Sequence, residues 1–353
     1  MNNNNENEQT KMKAYNLRGV SDLRLEDVSV PVPDAHETLI QVKAAGICGS
    51  DIPRIFVNGT YHFPTIPGHE FSGIDIATGK RVGIFPLIPC GKCQQCMDGK
   101  YEMCRSYSYL GSRTDGGFAE YVVVPKWNMI ELPDNVTFEQ AAMLEPMAVA
   151  VHAMRSIAPS RDDTVAVMGL GTIGMLLVMF LLDAGISDIY VVGNKEFQRK
   201  ICIELGIGGS RYIDVSSMAS DVSAAEQILA VTDGKGTDVF FECVGKNETI
   251  ETALKVVAPG GRIQMVGNPA SDIALDRDTY WKILRNQLTI KGSWNSSFTH
   301  ETDDDWHYVL DRLETGAIHP ERFISHRFSF EELNKGLTIM KDKTEDYVKV
   351  IIE

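Results

Sequence analysis

The stretch Thr164–Val192, TVAVMGLGTIGMLLVMFLLDAGISDIYVV, decides the fold. Its VAVMG is a short apolar strand, its middle an apolar helix running to Ala184, and its DIYVV, 188–192, the next strand. Between the first strand and the helix lies GLGTIG, from Gly169 to Gly174. A bare G-x-G-x-x-G is weak, but in a strand–turn–helix–strand unit it is a dinucleotide-binding fingerprint. Gly169 makes the turn, Gly171 lets the backbone approach a pyrophosphate, and Gly174 lets the helix pack on the strand. The amides of Thr172, Ile173 and Gly174 at the helix start then face the phosphates.

Outward toward the C-terminus the alternation continues. Strands are expected near 211–214, 238–244, 262–266 and 288–293, with helices between most of them. This is an α/β pattern, a parallel doubly wound Rossmann sheet. The tip of its second strand selects the cofactor. An NAD enzyme places an acid there, on the ribose hydroxyls. Here the tip reads Gly193-Asn194-Lys195, with Arg199 a turn later. A missing acid with nearby cations suits a 2′-phosphate, so NADP is expected over NAD; the alternative is that Lys195 and Arg199 form a solvated helix face. Beyond Ser296 come a polar helix and VKVIIE, a strand expected to return to an earlier domain.

Outward toward the N-terminus the pattern changes. Runs such as LRLEDVSV and ETLIQVKAAG are short strands broken by Pro31 and Pro33, a β-rich start unlike a parallel-sheet unit. RVGIFPL, 81–87, and GGFAEYVVV, 116–124, are expected as further strands. Residues 136–157 read as a helix with a capping box at Thr137 and Gln140, broken at Pro146 so that Glu145 stands at the break. There Glu145 is either a cap or a metal ligand.

Two clusters carry chemistry. GICGSDIPRIFVNGTYHFPTIPGHEFSG, 46–73, holds Cys48 and His69-Glu70. A thiolate, an imidazole and a carboxylate are the donor set of a catalytic zinc, which keeps one position open. Ser50 could pass a proton away from a bound substrate, and Asp51 could fix the ring of His69. Cys90, Cys93, Cys96 and Cys104 follow the spacing C-x2-C-x2-C-x7-C. Four thiolates on a short lobe form a closed structural zinc cage; an iron–sulfur cluster is the rival.

The 353 residues exceed one ordinary core, so two domains are expected. Residues 1–10, MNNNNENEQT, are too polar to order themselves. A net charge of −14 argues against nucleic acid and anionic membranes as partners, though a local basic pocket could still hold an anionic substrate. The longest apolar run, 175–182, is too short to cross a bilayer. With no signal peptide apparent and seven cysteines, four of them clustered, the expected location is the cytoplasm.

Together these motifs resemble the zinc-containing medium-chain dehydrogenase/reductase family along nearly the whole folded chain. The polyol branch looks closest, on the stretches CGSDIPRIFVNGTYHFPTIPGHEFSG, PLIPCGKCQQC, GSRTDGGFAEYVVV and KILRNQLTIKGSW. The resemblance implies a β-rich GroES-like catalytic domain, 11–157 and 296–353, split around a Rossmann domain, 158–295. It implies one catalytic zinc on Cys48 and His69, with Glu145 in place of the second cysteine of the alcohol dehydrogenase branch. Glu70 would either ligate that metal or wait beside it. Ser50 would relay the proton, and a structural zinc would sit on the four cysteines. The implied reaction oxidises a secondary alcohol of a hexitol phosphate to a ketose phosphate, of the galactitol 1-phosphate to tagatose 6-phosphate type. The implied assembly is a homodimer or homotetramer.

There are two departures from the pattern: a shortened segment between Phe71 and Arg81, and Gly193 in place of the strand-tip acid. Arg54, Arg113 and Lys291 are the candidate cations for a substrate phosphate. The rival activities are oxidation of an unphosphorylated polyol such as sorbitol, or of a simple secondary alcohol. A non-enzymatic relative would be expected to lack the Cys48, His69 and Glu145 set.

Overall fold

All four residues of the strand Val165–Met168 are buried, and neighbouring strands cover both of its edges. That double burial is why the segment reads as an unbroken apolar run and not as an alternating one. The computed structural model describes residues 10–216, 223–269 and 271–353. The tail expected to be disordered, 1–10, lies outside the described residues except for Thr10.

The chain divides into two compact units: one runs to Glu145 and resumes at Phe298, and the other is Pro146–Ser297. The expected divisions were at 157/158 and 295/296. The observed first division falls inside the helix Leu144–Ile157, because its later residues pack with the inserted unit.

In the inserted unit, six described strands form one parallel sheet. In spatial order they are Tyr212–Asp214, Ile189–Gly193, Val165–Met168, Thr237–Glu242, Val257–Met265 and Thr289–Gly292. The order reverses beside Val165–Met168, the switch point where a doubly wound sheet binds its ligand. Ala166, Phe240 and Ile263 of the sheet pack against Ile228, Ala253 and Leu254 of the flanking helices.

In the other unit the strand Glu37–Ile47 is central. It pairs antiparallel with Glu70–Asp75, Tyr121–Pro125 and Lys349–Ile352. The last pairing is the return of the C-terminal VKVIIE segment. Tyr15, Leu17, Ile40, Phe71, Phe118 and Val350 belong to its core.

Three local expectations needed revision, and the shortened segment took a definite form. The segment 81–87 is two strands, Arg81–Ile84 and Leu87–Ile88, parted at Phe85-Pro86. The strand expected at 116–124 forms only over Tyr121–Pro125. The glycines before it are used elsewhere: the amides of Gly116, Gly117 and Phe118 donate to the carbonyls of Ile66, Gly68 and Pro67, at 2.8, 2.8 and 3.0 Å. The expected helix break is at Met143, after the capped helix Phe138–Ala142, and Pro146 sits in the first turn of Leu144–Ile157. A proline is harmless there, since first-turn amides have no intrahelical partner. Lastly, the shortened 71–81 segment is a tight hairpin, with Ser72 opposite Gly83 and Gly79 N–H donating to Asp75 O at 2.7 Å.

Among the described residues no helix is long and apolar enough to cross a membrane.

Candidate active site

The strand Glu37–Ile47 delivers Cys48 at its end, and the chain then coils into a helical turn, Asp51–Pro53, that widens over Arg54–Asn58. Asp51 closes the turn twice: its amide donates to Cys48 O and its Oδ2 accepts from Cys48 N–H, both at 3.0 Å. His69 and Glu70 arrive from the loop that Gly116–Phe118 fix, with Glu70 opening the strand Glu70–Asp75. Donor atoms of Cys48, His69 and Glu70 thereby lie within 4.8 Å of one another. His69 and Glu70 are buried.

The surroundings of this triad are polar and paired. Ser50 Oγ lies 3.3 Å from Cys48 Sγ. Asp51 Oδ1 lies 3.2 Å from His69 Nδ1 and accepts from Arg54 at 2.8 Å. His69 Nδ1 has no hydrogen bond of normal geometry, so its contact with Asp51 is one of charge and proximity. Burial opposes ionisation of Asp51, but His69 and Arg54 outweigh it and hold its pKa below the usual carboxylate range. For His69, burial opposes the proton, while Asp51 and Cys48 outweigh burial and raise its pKa.

The two carboxylates have different tethers. Glu70 carries the buried ammonium of Lys349, which also donates to Ile47 O at 3.1 Å. Gly46 makes room for that pair, as a Cβ there would collide with both side chains. Glu145 stands outside the 4.8 Å donor set. It accepts from Tyr109 Oη at 3.2 Å, and the Tyr109 ring lies 5.7 Å from that of His69. Burial pushes Glu145 up to about 7 and, with Glu145 and Cys48 adding to it, pushes the Tyr109 phenol well above its ordinary value, so the phenol remains a donor. Sequence reasoning missed both Lys349 and Tyr109, since neither stands at a motif spacing.

The four clustered cysteines do meet. Cys93 Sγ lies 3.6 Å from Cys96 Sγ and 3.9 Å from Cys104 Sγ, and Cys90 Sγ lies 3.9 Å from Cys96 Sγ. A tetrahedron with metal–sulfur bonds of about 2.3 Å has edges of about 3.8 Å. An iron–sulfur cube would spread the thiolates further apart, so the spacing matches a single ion.

In the inserted unit, Gly169 has φ +99°, and a Cβ on Gly174 would collide with Gly169 O. Gly171 faces open space at the N-cap of the helix Thr172–Asp183 and, as glycine, offers no capping side chain of its own. The first turn, with the amides of Thr172, Ile173 and Gly174, is where a helix start of this kind can receive an anion. At the strand tip, a Cβ on Gly193 would sit 2.5 Å from Tyr212 Oη and 2.9 Å from Gln198 Oε1. Tyr212 Oη donates to Lys195 O at 3.0 Å, and Gln198 Nε2 donates to Leu170 O at 2.9 Å. These two side chains occupy the space of a strand-tip acid. Asn194 and Arg199 are exposed beside it, and Lys195 lies over the Phe197 ring at 5.3 Å.

The chain matches the alcohol dehydrogenase GroES-like domain over residues 34–134 and the zinc-binding dehydrogenase family over 172–315. It is 31% identical to galactitol 1-phosphate 5-dehydrogenase of Escherichia coli, over 88% of this chain and 91% of that enzyme. The crystal structure of galactitol-1-phosphate dehydrogenase from Escherichia coli superposes with a TM-score of 0.88 at 30% identity, covering 97% and 99% of the two chains. Sorbitol dehydrogenase of Bacillus subtilis is 26% identical over 97% of both chains. A Sinorhizobium meliloti protein bound to NADP superposes with a TM-score of 0.84 at 29% identity, over 98% and 99%.

Proposed function

The chain belongs to the zinc-binding medium-chain dehydrogenases, and on that premise we propose that it oxidises a secondary alcohol of a hexitol phosphate to the ketose phosphate. The observation that carries this reading is the convergence of Cys48, His69 and Glu70 beside Ser50. Buried donors of this kind, gathered on one point, call for a cation. The residues fit zinc, with Cys48 and His69 as ligands and the carboxylate of Glu70 or Glu145 completing the set. A second, structural zinc belongs to Cys90, Cys93, Cys96 and Cys104.

When bound, zinc lowers the pKa of a substrate hydroxyl, and the nicotinamide cofactor accepts hydride. Ser50 would take the substrate's O–H proton while passing its own hydroxyl proton outward toward solvent, the C–H hydrogen would leave as hydride to the oxidised cofactor, and a ketone would remain. Asp51 keeps His69 in one orientation. Gly169, Gly171 and the amides of Thr172, Ile173 and Gly174 hold the pyrophosphate. We propose NADP over NAD, with Asn194, Lys195 and Arg199 around the 2′-phosphate and no acid at Gly193.

Turnover with galactitol 1-phosphate, galactitol and sorbitol, each with both cofactors, tests the reading. The phosphorylated polyol with NADP should give the highest kcat/KM, and Cys48→Ser or His69→Ala should abolish it. The alternative, an unphosphorylated polyol, draws on the full-length match to sorbitol dehydrogenase and would show as equal or better use of sorbitol.

We also propose a cytoplasmic homo-oligomer. All seven cysteines are unpaired, as a reducing compartment keeps them. The strand Thr289–Gly292 is an exposed sheet edge, with Ile290 exposed on it and Trp294 exposed just beyond it. Such an edge is a seam for a second copy.

A further inference from the structure

We propose that Arg113 is the side chain that recognises the substrate's phosphate; this rests on the reading of the protein as a polyol-phosphate dehydrogenase. The guanidinium lies over two aromatic rings, 4.2 Å from the Tyr61 centroid and 4.5 Å from that of Tyr107. One terminal nitrogen donates to Tyr61 Oη at 3.2 Å and the other to Tyr107 O at 3.1 Å. The Nε–H and the second hydrogens of both terminal nitrogens are not used in these bonds. No described carboxylate is within ion-pair distance of Arg113, in a chain with 48 acidic and 34 basic residues. A half-buried, uncompensated guanidinium held flat in a fixed plane suits bidentate contact with a phosphate.

Arg113 is tied to the metal donors. Its own amide donates to Tyr109 O at 2.9 Å. Tyr109 faces His69 and bonds Glu145, and Tyr107 meets Tyr109 edge to face at 6.3 Å. On the other side, His62 Nε2 lies 3.1 Å from Arg113 O, which ties the loop bearing Tyr61 to the Arg113 turn. The clamp is thus built from the same segments that shape the metal pocket. The other two candidate cations are already committed. Arg54 is neutralised by buried Asp51, and Lys291, in the nucleotide-binding unit, donates to Ser156 O at 2.6 Å.

The test compares galactitol 1-phosphate with galactitol on the zinc-loaded enzyme. Arg113→Gln should raise KM for the phosphate ester roughly tenfold or more, the loss of a charge-assisted pair. The loss of kcat/KM should be several-fold smaller for galactitol, which has no phosphate to lose, than for the ester, and Arg113→Lys should fall between. Competitive inhibition by inorganic phosphate should weaken in parallel. An unchanged KM for the ester in Arg113→Gln overturns the inference while the substrate reading stands. An equal loss on both substrates overturns it too, marking Arg113 as a structural pin. If the wild-type enzyme oxidises galactitol and ignores its phosphate, the substrate reading itself fails and the inference with it.

Discussion

Lys349 seats its ammonium on the carboxylate of Glu70 in the interior of the catalytic unit, with both side chains almost wholly buried. The pair joins the first residue of the strand Lys349–Ile352 to the first residue of Glu70–Asp75, across the central strand Glu37–Ile47. It also occupies the one carboxylate inside the metal donor set.

In protein stripped of zinc by a chelator, removing one member leaves the other as an uncompensated buried charge, at a cost of about 3–5 kcal/mol. Lys349→Met should therefore lower the unfolding free energy by that amount, and adding Glu70→Gln should return much of it. A double-mutant cycle by urea denaturation measures the coupling. Equal stability of Lys349→Met and wild type would contradict the pairing.

Asp51 acts on the metal pocket without belonging to the donor triad. Asp51→Asn removes the charge facing His69 and Arg54 and should cost about 10–100-fold in zinc affinity or turnover. A competitive zinc titration against a chromophoric chelator checks this. An unaltered affinity together with unaltered kcat would show that His69 needs no such support.

The four-cysteine lobe should bind its own ion. Two zinc ions per chain are expected by elemental analysis, falling to one in Cys93→Ala with the Tm lowered. Thiol labelling gives a second readout. Burial pushes Cys202 up to about 12 and likewise raises Cys243, so both stay protonated at neutral pH. Iodoacetamide should therefore spare them in the folded protein, and chelation should expose Cys90 and Cys93 first. One zinc per chain in the wild type would refute the two-site assignment.

Cofactor choice should resist a single-residue change. An acid at 193 meets the Tyr212 hydroxyl and Gln198, so Gly193→Asp should destabilise the unit without creating an NAD enzyme. Lys195→Ala with Arg199→Ala should instead raise KM for NADP roughly tenfold to a hundredfold and spare KM for NAD. Steady-state kinetics with both cofactors decide the matter; equal effects on the two would remove these cations from the 2′-phosphate.

Ile290→Lys, placed on the exposed edge strand Thr289–Gly292, should shift the protein toward monomer in sedimentation velocity. A wild-type monomer at micromolar concentration would dismiss that seam.

What was legible in the sequence was what depends on short spacing. The glycines 169, 171 and 174 and the cysteines 90, 93, 96 and 104 act within one turn or lobe, and the Thr137–Gln140 capping box forms as read. What was hidden depends on residues far apart in the chain. Lys349 reaches Glu70 across 279 positions, and Tyr109 reaches Glu145 across 36. No periodicity announces either. Pro146 misled for a different reason. Its missing N–H matters only where a helical bond would form, and the first turn has none to lose.

The closing strand has a consequence for how the molecule is made. Lys349 bonds Ile47, 302 positions earlier, so the catalytic sheet needs both flanks of the chain at once. The inserted unit is contiguous and asks for no such reunion. Loop closure over so long an interval is slow. During synthesis the inserted unit can thus mature first and act as a folded spacer, shortening the search by which the N-terminal strands find their late partner.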